Sequence, residues 1–190
     1  MAAYQVRRLR NDAYQVGLYN SGPTIFLYDD THGEAIKEAS PSLLMGYYGI
    51  AAQDVDAALL ALGARGLLIV FELYQDDELQ AEVSLGPPLS EGEVEGTAWS
   101  APTQALLSLP SGTLCIESMD SLRLGPEEPT DEGVCLMLPP GDYVVSLQCL
   151  SRDYEQTPDA LVPEYYLSLV PLSDQQSRPP NQPFLPYPRG

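Results

Sequence analysis

The stretch Leu136–Leu150, LMLPPGDYVVSLQCL, joins two apolar runs through Pro-Pro-Gly, and it limits the fold more than any other part of the chain. Proline holds φ near the value a turn needs, and glycine reaches a positive φ at little cost, so the chain reverses direction here. Side chains alternate across a strand, so each flank presents one apolar face: Val134, Leu136 and Leu138 before the turn, Tyr143, Val145, Leu147 and Cys149 after it. This spacing predicts a hairpin in which Leu138 faces Tyr143, Leu136 faces Val145 and Val134 faces Leu147. Cys135 and Met137 then fall on the opposite face. Bonding Cys135 to Cys149 would need a slip of one residue, which would turn the whole apolar set toward water.

The same alternation recurs along the chain. YQVRRLR and AYQVGLYN flank Asn11-Asp12 and read as a hairpin, with Tyr14, Val16 and Leu18 on one face. TIFLYDD reads as a strand, ELQAEVSL as another, ALLSLPSGTLCIES as a hairpin around Pro110–Gly112, and EYYLSLV as a strand with Tyr165, Leu167 and Leu169 on one face. LLIVFELY is apolar on both faces and so reads as a covered strand. One segment has helical chemistry: over about residues 53–64, Asp54 can cap, Val55, Leu59 and Leu62 share a face, and Gly63 or Gly66 can end the helix. The PPGxY turn resembles turns of bacterial β-sandwich proteins, over the fifteen residues Leu136–Leu150 only, and identifies no family. The expected fold is mainly β, an antiparallel β-sandwich or bent barrel with one helix. Residues 1–173 form a single domain, and 174–190 a proline-rich tail, extended or disordered, in which Phe184, Leu185 and Tyr187 favour lying on the chain's own body.

At 190 residues the chain is long enough to bury a core without disulfide staples. It carries 27 Asp and Glu against 9 Lys and Arg, a net charge of −18. That field repels phosphate backbones and anionic lipid headgroups, which argues against nucleic-acid and membrane binding and favours a basic protein partner. Three cysteines, Cys115, Cys135 and Cys149, are odd in number and contain no CxxC, so neither a disulfide framework nor a zinc site is expected. No apolar stretch follows Arg7 and Arg8 at the N-terminus, and the run LLIVF is too short to span a bilayer. These features read as a cytoplasmic protein.

The chemistry-bearing residues are few. YDDTHGE brings Asp29, Asp30, His32 and Glu34 together with the chain's only histidine, and Asp30, His32 and Glu34 are weak candidates for metal ligands. No GxSxG, GxGxxG or GxxxxGK[ST] occurs, so no nucleophile elbow and no cofactor or nucleotide cradle is expected. Trp99, the only tryptophan, reads as a core or rim residue beside an acidic loop. The expected function is therefore that of a non-enzymatic acidic module, of the immunity or inhibitor type, that neutralises a basic partner such as a toxin or nuclease. Its partner-facing carboxylates would be Asp29, Asp30 and Glu34, then Glu91, Glu93 and Glu95, then Glu127, Glu128, Asp131 and Glu132. Two other readings stand beside it: a metal-dependent hydrolase using His32, and a structural sandwich in which some of the twelve tyrosines line a homo-oligomer face.

Overall fold

Pro139 and Pro140 both lack an N–H, so neither can donate to a hairpin ladder between the runs they join. The chain uses this turn to change sheets. The structure, a computed structural model, describes residues 5–10, 13–19, 24–39, 57–72, 78–89, 98–99, 103–118, 133–151, 165–172, 179 and 184–185. In chain order the elements are β1 (Gln5–Arg10), β2 (Ala13–Tyr19), β3 (Thr24–Asp29), a 3-10 turn (Asp30–His32), α1 (Gly33–Ala39), α2 (Ala57–Ala64), β4 (Leu68–Glu72), β5 (Glu78–Ser84), β6 (Ala98–Trp99), β7 (Thr103–Leu109), β8 (Thr113–Ser118), β9 (Gly133–Met137), β10 (Gly141–Ser151), β11 (Tyr165–Pro171) and β12 (Phe184–Leu185).

Two sheets form a sandwich. One runs β1-β2-β5-β11-β10, with β7 and β6 following each other along the free edge of β10; the other runs β12-β4-β3-β8-β9. Among the described pairings only β5–β11 and β4–β12 are parallel. The inward faces meet in one apolar core, to which the first sheet gives Val16, Leu18, Val83, Leu107, Val145 and Leu167, and the second Ile25, Leu27, Phe71, Leu114, Ile116 and Leu136. Phe71 and Tyr165 meet across it with ring centroids 6.4 Å apart.

The expected mainly-β fold is present, but two expected hairpins are not. β9 pairs with β8 and β10 with β7 and β11, so Leu136 and Val145, or Leu138 and Tyr143, face each other across the core rather than across a ladder. The segment around Pro110–Gly112 does the same, carrying the chain from β7 in one sheet to β8 in the other. Period-two alternation puts the same residues inward in either arrangement. The chain takes the second arrangement, with the donor-free prolines at the crossing itself.

The two crossing turns lie against each other. Gly112 N–H donates to Leu109 O (3.1 Å), and Leu138 N–H donates to Gly112 O (2.7 Å). The hydroxyl of Tyr143 donates back to Pro139 O at 2.5 Å, the geometry of a tyrosine corner.

The segment read as an acidic loop, DDTHGE, instead forms the 3-10 turn and opens α1, whose Ile36 is fully buried. The Ala-Leu-rich helix is α2. It ends as Gly66 takes φ +71, with Gly66 N–H donating to Gly63 O (2.9 Å) and Leu67 N–H to Leu62 O (3.0 Å), the paired bonds of a Schellman motif. Leu62 is buried; Asp54 and Val55 lie outside the described residues. α2 lies against α1 and β4, so Leu68, Ile69, Val70 and Phe71 are buried on both faces of that strand. The proline-rich segment supplies β12, whose Phe184 and Leu185 pair with Val70 and Phe71 at the strand's edge.

Gly112 has φ +77, and a Cβ there would collide with the carbonyl oxygen of Leu138 and sit 3.2 Å from Pro140 Cδ. Gly112→Ala combines backbone strain with backbone collision, so it is expected to destabilise the protein by roughly 2–4 kcal/mol, read as a lower urea midpoint.

Candidate functional site

Asp29 ends β3 with the inward parity of Ile25 and Leu27, and it is fully buried. One carboxylate oxygen accepts from Thr31 N–H (3.0 Å) and Thr31 Oγ1 (2.5 Å), and the other from Ser111 N–H (3.0 Å) and Ser111 Oγ (2.8 Å). Ser111 Oγ in turn accepts from Thr113 N–H (3.0 Å). Burial alone would raise the Asp29 carboxyl, but the four donated hydrogen bonds outweigh it and hold the group below the ordinary aspartate range. Asp29 caps the 3-10 turn and grips the β7–β8 crossing. It therefore belongs to the fold and presents no surface to a partner.

Its neighbours point elsewhere. Asp30 and Glu34 are exposed and His32 is half-buried, with its Nε2 lacking a hydrogen-bond partner among the described residues. The three do not converge: among the described residues no three His, Cys, Asp or Glu side chains group as a metal site. Glu91, Glu93, Glu95, Glu127, Glu128, Asp131 and Glu132 lie outside the described residues, as does the Trp99 side chain. The strands that follow those carboxylates are described. β6 starts at Ala98, opposite Ser151 at the far end of β10, and β9 starts at Gly133, opposite Glu117 near the far end of β8. Both starts lie away from the crossing turns, whereas Asp29 and Asp30 lie beside them.

On the outer face of the five-stranded sheet α2 lies against β4 and Gly33 of α1 lies beside Tyr28 of β3, while Cys135 and Met137 of β9 are exposed. Tyr28, Cys115 and Cys135 stand in one cross-strand row on this face, with Glu117 and Met137 in the adjoining rows. Tyr28 Oη donates to Glu117 Oε2 (2.8 Å). Burial first, then the Glu117 carboxylate, pushes the Tyr28 hydroxyl well above the ordinary tyrosine range. Cys115 is buried and Cys135 exposed, and their sulfurs are 3.2 Å apart. Met137 is 70% exposed, with Thr113 Oγ1 3.5 Å from its sulfur. In the sequence the three cysteines are odd in number and contain no CxxC, and no local pattern sets two of them side by side. Parity with buried Leu114 and Leu136 placed Cys115 and Cys135 outward on their own strands, but only the pairing of β8 with β9 makes them neighbours.

The outer face of the seven-stranded sheet carries a polar row, Gln104, Ser146, Ser168 and Ser84, across four strands. The segment Gly86–Leu89 lies over it. Gly86 N–H donates to Leu169 O (3.2 Å), and the Ser168 hydroxyl donates to Gly86 O. The Gln148 amide accepts from Leu89 N–H (2.8 Å) and donates to Leu89 O (3.2 Å), as a backbone partner would. Gln104 Nε2 donates to Ser146 Oγ (3.1 Å). These polar groups bind the segment to the sheet.

No helix of the described residues is long and apolar enough to cross a membrane. No protein-family model matches the chain, and no curated protein matches it. Two solved structures are similar to it in part. One, described as crocagin biosynthetic gene J, is 17% identical with a TM-score of 0.48, and the match covers 90% of this chain and 99% of that one. The other is ComJ from Bacillus subtilis, described as an inhibitor of the DNA degrading activity of NucA; it is 15% identical with a TM-score of 0.46, covering 90% of this chain and 100% of that one. Likeness at this level carries no inference about what this chain binds or does.

Because the folded carboxyl of Asp29 titrates below the unfolded value of about 3.9, its contribution is complete at neutral pH and is lost as pH falls through the folded value. Asp29→Asn faces an amide N–H2 toward donors, and it is expected to cost roughly 2–4 kcal/mol near pH 7. The gap between variant and parent should narrow on acidification, measured by urea unfolding at a series of pH values.

Proposed function

We propose that the chain is a non-enzymatic acidic binding module of the inhibitor or immunity type, which docks on a basic protein such as a toxin or nuclease in the cytoplasm and neutralises it. The observation that carries this reading is the charge: 27 acidic against 9 basic residues on a chain whose apolar side chains fill a sandwich core. A field of that sign steers a basic partner toward the surface and repels polyanions. Strand order supports a choice of docking face. The segments holding Glu91, Glu93 and Glu95 and holding Glu127, Glu128, Asp131 and Glu132 each lead into a strand that starts at the same end of the sandwich. On this reading that end is the principal docking face, Asp30 and Glu34 add to the long-range field, and Asp29 takes no part. Carboxylates suit the bidentate fork of arginine and the ammonium of lysine.

The partner is sought by capture from the host's own cells at low salt, and the binding is then measured with the purified pair. Association should slow steeply as ionic strength rises through ~0.15 M, where the Debye length is about 8 Å. A Glu91→Lys, Glu93→Lys, Glu95→Lys variant should associate about tenfold or more slowly, whereas Glu34→Lys has a smaller effect. A salt-independent association rate, or equal effects of reversal at the two ends, would sink the proposal. His32→Ala should leave both binding and metal content unchanged; loss of a bound metal ion would favour the hydrolase reading instead.

A further inference from the structure

We propose that Cys115 and Cys135 form a thiol–disulfide exchange site at the open edge of the five-stranded sheet, where Cys135 takes a small neutral or cationic disulfide and Cys115 resolves the adduct into a cross-strand bond. The two residues are direct cross-strand partners, and their sulfurs lie 3.2 Å apart. A covalent S–S bond is about 2.05 Å, so closure needs a shift of only about 1 Å. β9 is the terminal strand of its sheet among the described residues, and Cys135 is exposed on it while Cys115 is buried behind. One sulfur is therefore open to a reagent in solution, and the other is within reach of the adduct but shielded from it. Cys149 lies in the core of the sandwich, on the inward face of the other sheet.

The local charges set both the order of reaction and the class of reagent. The two sulfurs share a hydrogen bond that either S–H can donate, and donation from Cys115 favours Cys135 as the thiolate. That hydrogen bond, and then burial, pushes Cys115 up while Cys135 is drawn down. Asp30 and Glu117 push both thiols up, adding to the rise at Cys115 and opposing the fall at Cys135, and Tyr28 is the third titratable group facing the pair. These carboxylates, together with a net charge of −18, repel an anionic disulfide such as oxidised glutathione and favour one such as cystamine.

The exchange balances without a further oxidant. The Cys135 thiolate attacks one sulfur of R–S–S–R, forming Cys135–S–S–R and releasing R–S⁻. Cys115 then loses its proton and attacks the Cys135 sulfur, expelling the second R–S⁻. The protein has lost two hydrogens, and the reagent has been reduced to two thiols.

The test treats the native full chain with cystamine, then with oxidised glutathione, and follows intact mass and peptides mapped without reduction. With cystamine the protein should become lighter by two hydrogens, with Cys115 joined to Cys135 and Cys149 unmodified. Glutathione disulfide should give the same product about tenfold or more slowly. Cys115→Ser should hold one cysteamine on Cys135, and Cys135→Ser should react at least about tenfold more slowly than the parent. The proposal is overturned if the parent keeps mixed adducts without an internal bridge, stays unmodified, or reacts at Cys149 as fast as at Cys135. These readouts on the parent protein stand even if a variant fails to fold.

Discussion

The hydrogen bond from Leu138 N–H to Gly112 O holds two sheet-crossing turns side by side, and the facing of the two sheets depends on it. β7 and β10 pair in one sheet while their chain neighbours β8 and β9 pair in the other, so both crossings occur at one end. A hairpin sets register between neighbours within a sheet; here the clamp sets register between sheets. Asp29 extends the clamp by tying the end of β3 to Ser111 in the first turn. Buried hydrogen bonds to a charged acceptor are stronger than neutral ones, and a four-donor carboxylate leaves none of its oxygens unsatisfied. The apolar core supplies most of the folding drive, and this polar corner selects one arrangement of that core among several with the same inward residues.

Much of the fold was legible because a period of two marks the buried face regardless of what the strand pairs with. Val134, Leu136, Tyr143, Val145, Leu147 and Cys149 are all inward, as the alternation predicts. Their partners were not legible, because opposition within a ladder and opposition across a core have the same parity. In DDTHGE the acidic composition obscured a cap followed by Gly-Glu-Ala-Ile-Lys-Glu-Ala, a run mostly of helix formers. The β12 pairing needed a parallel partner more than a hundred residues away, and no local pattern identifies such a partner.

For the candidate site, sequence alone grouped Asp29 with Asp30, although the alternation that places Ile25 and Leu27 inward separates them. Asp29 continues that inward series; Asp30 starts the exposed turn. The thiol pair escaped notice for the opposite reason. Cys115 and Cys135 are twenty residues apart, and their adjacency follows from strand order, which composition does not encode. Acidity contributes to both settings in different ways: at long range it selects the charge of whatever approaches, and near the sulfurs it opposes thiolate formation that the S–H contact favours.

Strand order also bears on how the protein is made. β5 finds its parallel partner in β11, and the edge of β4 closes only with Phe184 and Leu185. During synthesis the buried residues Val70 and Phe71 therefore wait, with one side of their backbone unpaired, until Phe184 and Leu185 have been made. Non-local pairing of this kind folds slowly, and an apolar strand with an open edge is a template for association with other chains. The dense negative charge acts in this interval as well, since nascent chains that repel one another are kept from joining at that edge.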